Sequence, residues 1–115
     1  MIMILAGFIQ GCYYDDQDLL DPNRTVCDTA IITYSGTISP ILTAYCSGCH
    51  SGANAPSGVR TDNYTSVKTI ASNGKLLGTV THSAGFVQMP KNSPKLNTCN
   101  IEKIRKWVTA GAPNN

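Results

Sequence analysis

Five residues, Cys46-Ser47-Gly48-Cys49-His50, constrain this chain more than any other stretch. Two thiols separated by two residues, with an imidazole next, match the spacing of a c-type haem attachment site. The chemistry explains the spacing. Each thiol adds across one haem vinyl group and leaves a thioether, and a tight turn between them lets both reach one edge of the macrocycle. His50 then offers a ring nitrogen to the iron from the proximal side. A redox CxxC of the thioredoxin type belongs in a βαβ pattern, and none is legible here. A zinc site needs a second ligand pair at similar spacing, whereas Cys27 and Cys99 stand far apart in sequence.

A chain of 115 residues suggests one domain. Its ordered part begins near Cys27, and a core that small is marginal unless something staples it. A covalently held haem would add a large apolar plate for side chains to pack on. The formal net charge is only +2, but the charges are segregated. Asp15, Asp16, Asp18, Asp21 and Asp28 lie early. Lys68, Lys75, Lys91, Lys95, Lys103, Arg105 and Lys106 lie in the second half. No basic stripe interleaved with aromatics appears, which argues against a nucleic-acid partner.

The chain opens with an apolar run, 1–9, too short to cross a bilayer, which takes about 20 residues. It fits the apolar region of an export signal. Gly11-Cys12 closes it as a bacterial lipoprotein signal closes, with Cys12 the lipidated residue; the competing reading of Cys12 is a free thiol on a leader. Residues 1–11 are thus expected as signal, 12–26 as a flexible acidic tether, and 27–115 as the haem domain. The expected location is the periplasmic side of a bacterial membrane, where c-type attachment and stable disulfides both belong.

Beyond the tether the pattern is helical. Residues 26–34 read as an extended lead-in, since no second strand is present to pair with them. Ile38, Ile41, Leu42 and Tyr45 fall on one helical face, and Pro40, tolerated only in a first turn, sets the start near Ser35 to Ser39. That helix delivers Cys46 at its end. Asp62 or Asn63 caps a second helix with Tyr64, Val67, Ile70 and Ala71 on its apolar face, closed by Gly74. Residues 75–80 make a further short helical turn. Residues 81–96 read as a loop punctuated by Gly85, Pro90 and Pro94. The last helix spans about Thr98 to Ala110, with Ile101, Ile104, Trp107 and Val108 on one side and Gly111 and Pro113 stopping it.

The order of first helix, Cys46-to-His50 motif, small-residue loop 51–58, Met89-Pro90 loop and final helix resembles the class I c-type cytochromes. Within them it is most similar to small monohaem, lipid-anchored bacterial forms. The resemblance covers 27 to 113, and only the haem pentapeptide is highly specific. It implies an all-α, cytochrome c-like fold of three to five short helices wrapped around one covalent haem c. It implies that a backbone carbonyl, placed at Asn54 to Pro56, accepts a hydrogen bond from His50, and that Met89 is the distal iron ligand. It implies that the last helix crosses the first and that Trp107 packs near the haem. Arg60 is a candidate partner for a haem propionate. With Cys12 assigned to lipid and Cys46 and Cys49 to haem, Cys27 and Cys99 remain, before the first helix and at the start of the last. They are expected to form a disulfide across that crossing.

The implied activity is transfer of one electron, without catalysis, between partner proteins outside the cytoplasm. Lys91 and Lys95 beside Met89 are a candidate face for an acidic redox partner. Two rival readings stay open. In one, the distal position is open and the chain is a haem enzyme or gas-binding protein. In the other, the motif serves a thiol or zinc module. His82, the only histidine outside the motif, competes with Met89 for the iron.

Overall fold

The computed structural model describes residues 26–115. The signal segment, Cys12 and all of the tether except Val26 lie outside the described residues. Among the described residues the only regular elements are helical, with no strand. Nor is any described helix long and apolar enough to cross a membrane.

The lead-in 26–33 is irregular, and Thr33 then starts a helical run by accepting a hydrogen bond from Gly36 N on its side-chain oxygen at 3.0 Å. Gly36 permits this approach: a Cβ there would sit 2.9 Å from Thr33 Oγ1. The run opens with one π-helical turn, Tyr34–Ile38, and continues directly as α1, Ser39–Tyr45. Pro40 explains the wide turn. A proline ring inside a helix collides with the carbonyl four residues back, and a widened turn relieves that contact. Pro40 therefore sits in the first turn of α1, as expected, but the helical path itself begins earlier, at Tyr34.

A 3₁₀ turn, Pro56–Gly58, follows the motif; then come α2, Tyr64–Ser72, and α3, Lys75–Val80. Asn63 caps α2 through Ser66 N at 2.9 Å. Gly74, at a φ of 81°, is the left-handed residue that turns α2 into α3. The last helix, α4, spans Thr98–Thr109 and is capped by Asn97 through Asn100 N at 2.8 Å.

One core joins these pieces. Ile38, Leu42, Val67, Val80, Ile104 and Trp107 are its most enclosed side chains. The expected faces of α1, α2 and α4 all contribute to it, with one exception. Tyr45, placed on the same face as Ile38 and Leu42 by spacing, is 47% exposed. Helix α4 packs on the Tyr34–Ile38 turn and on α3. The last helix therefore meets the first helical run at its π turn. Trp107 lies there, 5.7 Å from the Tyr34 ring centroid, and Tyr34 in turn meets Tyr64 edge-on at 5.1 Å.

Two ties close the fold. The chain after α4 turns back, so that Trp107 Nε1 donates to Pro113 O at 3.0 Å and Tyr64 Oη to Ala112 O at 2.8 Å. Asn115 reaches the start of the helical run, accepting from Ser35 N and Tyr34 N, each at 2.9 Å. The second tie is a disulfide between Cys27 and Cys99, with Cα atoms 5.4 Å apart and 72 residues of separation. Closing a loop of that length contributes about 4 kcal/mol on the chain-entropy account.

Candidate functional site

Cys46 caps the C-terminal end of α1, its N–H donating to Leu42 O at 2.8 Å. The chain then makes one more helix-like turn across the motif: Cys49 N and His50 N both donate to Cys46 O, at 3.2 and 2.9 Å. Cys46 is half-buried against the core and Cys49 is exposed, and the two thiols are not joined in a disulfide. Burial pushes the Cys46 thiol up to about 11. A reactive CxxC needs the opposite shift, because the thiolate is its nucleophile. Among the described residues, no three His, Cys, Asp or Glu side chains gather closely enough to hold a metal ion on their own.

His50 is oriented by a carbonyl, though not one at 54–56. Its Nδ1 lies 2.9 Å from Val59 O. A carbonyl oxygen only accepts, so Nδ1 carries a hydrogen, and in the neutral ring Nε2 keeps the lone pair. The reason for the displacement is local. The carbonyls of Ala55 and Pro56 accept from Gly58 N at 3.0 Å and Val59 N at 3.1 Å, closing the 3₁₀ turn. Val59 then returns to extended backbone, with φ −87° and ψ 117°, and presents its carbonyl to the ring.

Two further residues support the motif: Thr61, which no sequence pattern marked, and Asp62, which read only as a candidate helix cap. Thr61, buried although polar, donates from its backbone N–H to His50 O at 2.7 Å and from Oγ1 to the same oxygen at 3.2 Å. Its hydroxyl also pairs with Ser47 Oγ at 2.9 Å. The loop 51–60 is thus closed at both ends by the motif. Asp62 reaches back to Gly52 N at 3.0 Å.

Arg60 does not stand free. Its guanidinium forks onto Asp62, with Nε to Oδ1 at 2.9 Å and Nη2 to Oδ2 at 2.8 Å. The hydrogen bonds from Arg60, and next from the Gly52 amide, hold the Asp62 carboxyl well below the usual carboxylate range. Trp107 belongs to the aromatic trio at Tyr34, the opposite end of the helical run from Cys46 and about 18 Å along it at helical rise.

Met89 is half-buried in the loop after α3 and is held at both peptide groups. Its N–H donates to Thr79 O at 3.1 Å, and its carbonyl accepts from His82 Nε2 at 3.0 Å. His82 Nε2, the ring nitrogen turned toward Met89, therefore carries a hydrogen. The loop is pressed onto α3 by Phe86, whose ring lies so close to Gly78 that a Cβ there would stand 2.5 Å from its atoms.

The end of α1 and the methionine loop meet across an open cleft of about 490 Å³, lined by Ala44, Tyr45, Pro90, Ser93, Lys95 and Leu96 among others. Its walls adjoin two of the candidate residues: Tyr45 precedes Cys46, and Pro90 follows Met89. Tyr45, Phe86 and Val87 leave large apolar surface exposed on these two segments.

Comparison with known protein families, with curated proteins and with solved structures found no match. The reading of the site rests on its own residues.

Proposed function

We propose that the chain is an electron-transfer cytochrome carrying one haem c, joined to Cys46 and Cys49 and ligated by His50 and Met89. The observation that carries this reading is the His50 ring. Its Nδ1 bonds to Val59 O within a haem-attachment pentapeptide, so the ring is oriented, and in its neutral form the lone pair that an iron ligand needs is on Nε2. The rest of the donor set suits the same group. Two unpaired thiols stand one turn apart at a helix end, and a thioether is held in a loop across the cleft from that end. The exposed rings of Tyr45 and Phe86 and the side chain of Val87 supply apolar surface for a macrocycle to cover. On this reading the helices form a cytochrome c-like wrap.

Bound there, the haem supplies a one-electron iron couple. The chain's own residues decide how it is used. His50 and Met89 would both hold the iron, which would leave no coordination position for substrate, so the chain would transfer electrons without catalysing a bond change. The soft methionine sulfur favours the reduced metal and raises the potential. Lys91 and Lys95 are exposed, and Lys95 lines the cleft itself, so an acidic redox partner would approach here, through a small and salt-sensitive contact. Export with a lipid anchor at Cys12 completes the proposal, and the Cys27–Cys99 bond suits that oxidising location.

One absorption spectrum tests the reading, taken on protein produced with a c-type maturation system. The expected result is a low-spin six-coordinate spectrum when reduced and a near-infrared methionine-to-iron band when oxidised. The haem should stay with the chain under denaturation and be lost in a Cys46→Ala/Cys49→Ala variant. No Soret band overturns the haem assignment, and a high-spin spectrum overturns the closed distal site.

A further inference from the structure

We infer that His82 is a positioning residue for Met89: its imidazole clamps the Met89 main chain onto the end of α3 and so presents the iron's distal ligand. The inference rests on Met89 as that ligand.

The geometry is a closed triangle. Thr79 O, in the last turn of α3, accepts from His82 N at 3.3 Å and from Met89 N at 3.1 Å. His82 Nε2 lies 3.0 Å from Met89 O and donates to it. Both peptide groups of Met89 are therefore tied to a point within ten residues of it. The six residues between His82 and Met89 are all exposed. They bulge outward, anchored by Ser83 N to Gly78 O at 3.0 Å and by Phe86 on Gly78. Without the imidazole, Met89 would keep a single main-chain bond at the end of an exposed bulge.

The backbone of His82 points the same way. Its φ is 55°, in the left-handed region where a Cβ crowds the following carbonyl. Glycine is the residue that a turn alone would favour there. The side chain carried in that conformation makes one observed hydrogen bond, to Met89 O.

His82→Gly separates the two roles. Glycine adopts the turn freely, so a residue that only forms the turn loses nothing by the change. Loss of the clamp has two readouts. The first is hydrogen exchange at the Met89 amide in the intact reduced protein, expected to quicken roughly tenfold, the effect of one neutral hydrogen bond. The second is competition by exogenous imidazole, which enters only when Met89 leaves. Its half-saturating concentration should fall by about the same factor. Unchanged exchange overturns the clamp. Faster exchange with unchanged imidazole affinity overturns its role in presenting the ligand. Faster exchange in a protein whose wild type lacks the methionine-to-iron band leaves the clamp standing and overturns the Met89 ligation proposed above.

Discussion

The two sides of the cleft hold their key residues in different ways. On the Cys46 side, order comes from the helix. The motif continues the hydrogen-bonding path of α1, Cys49 N and His50 N both returning to Cys46 O, so the spacing of the thiols and the imidazole follows from helical geometry over five residues. On the Met89 side there is no regular element. Met89 is fixed by Thr79, ten residues earlier, by His82 and by the seating of Phe86 on Gly78. The first arrangement survives wherever α1 survives. The second depends on a few contacts at the rim of the core, which makes it the side that opens first.

The strongest way to break the contrast is Gly78→Ala. Inside a helix this change ordinarily favours folding by about 1 kcal/mol. Here the new methyl group would meet the Phe86 ring, including Cγ near the base of the side chain, at 2.5 Å. The ring cannot yield by bending its far end, so the loop must lift. We expect a net loss of about 1–2 kcal/mol, the overpacking cost exceeding the gain in propensity. Denaturant unfolding measures it. Faster amide exchange should appear at Phe86 and Met89, with Cys49 and His50 unchanged. Equal loosening of both sides would remove the distinction.

Thr61→Val probes the other side with a smaller effect. It keeps the backbone bond to His50 O and removes the hydroxyl that pairs with Ser47 Oγ and His50 O. The expected cost is about 1 kcal/mol in unfolding, one neutral hydrogen bond. Amide exchange at Met89 should not move; if it does, the two sides are coupled.

Asp62→Asn should have the smallest effect, because the carboxylate is exposed and its pairing with Arg60 is screened by solvent. Its sign is set by the direction of its shift. Asp62 titrates below its unfolded value, so the ionised form is the one the fold favours. The contribution is complete above the unfolded value, about 3.9, and fades as pH falls toward the depressed folded one. The gap in melting temperature between wild type and variant should be present at neutral pH and close below about pH 4. A gap that widens in acid contradicts the Arg60–Asp62–Gly52 tie.

The helical plan and the candidate site residues were legible in the order of residues alone. Period 3.6 in α1, α2 and α4, Asn63 before α2 and Gly74 after it are local signals, and local signals survive into the fold because neighbours three and four apart share a face whatever lies around them. The same locality made Cys46, Cys49 and His50 legible. What only the tertiary structure decided lies where distant segments meet. Val59 replaced 54–56 as the partner of His50, because a 3₁₀ turn engages the earlier carbonyls. Tyr45 turned out to the cleft, Arg60 turned to Asp62, and Trp107 joined Tyr34 at the π turn that Pro40 imposes. His82, weighed beside Met89 because it is the histidine outside the motif, bonds to the Met89 carbonyl. A side chain that bonds across a loop obeys no period, so its partner is set by how the backbone closes and leaves no trace in the order of residues.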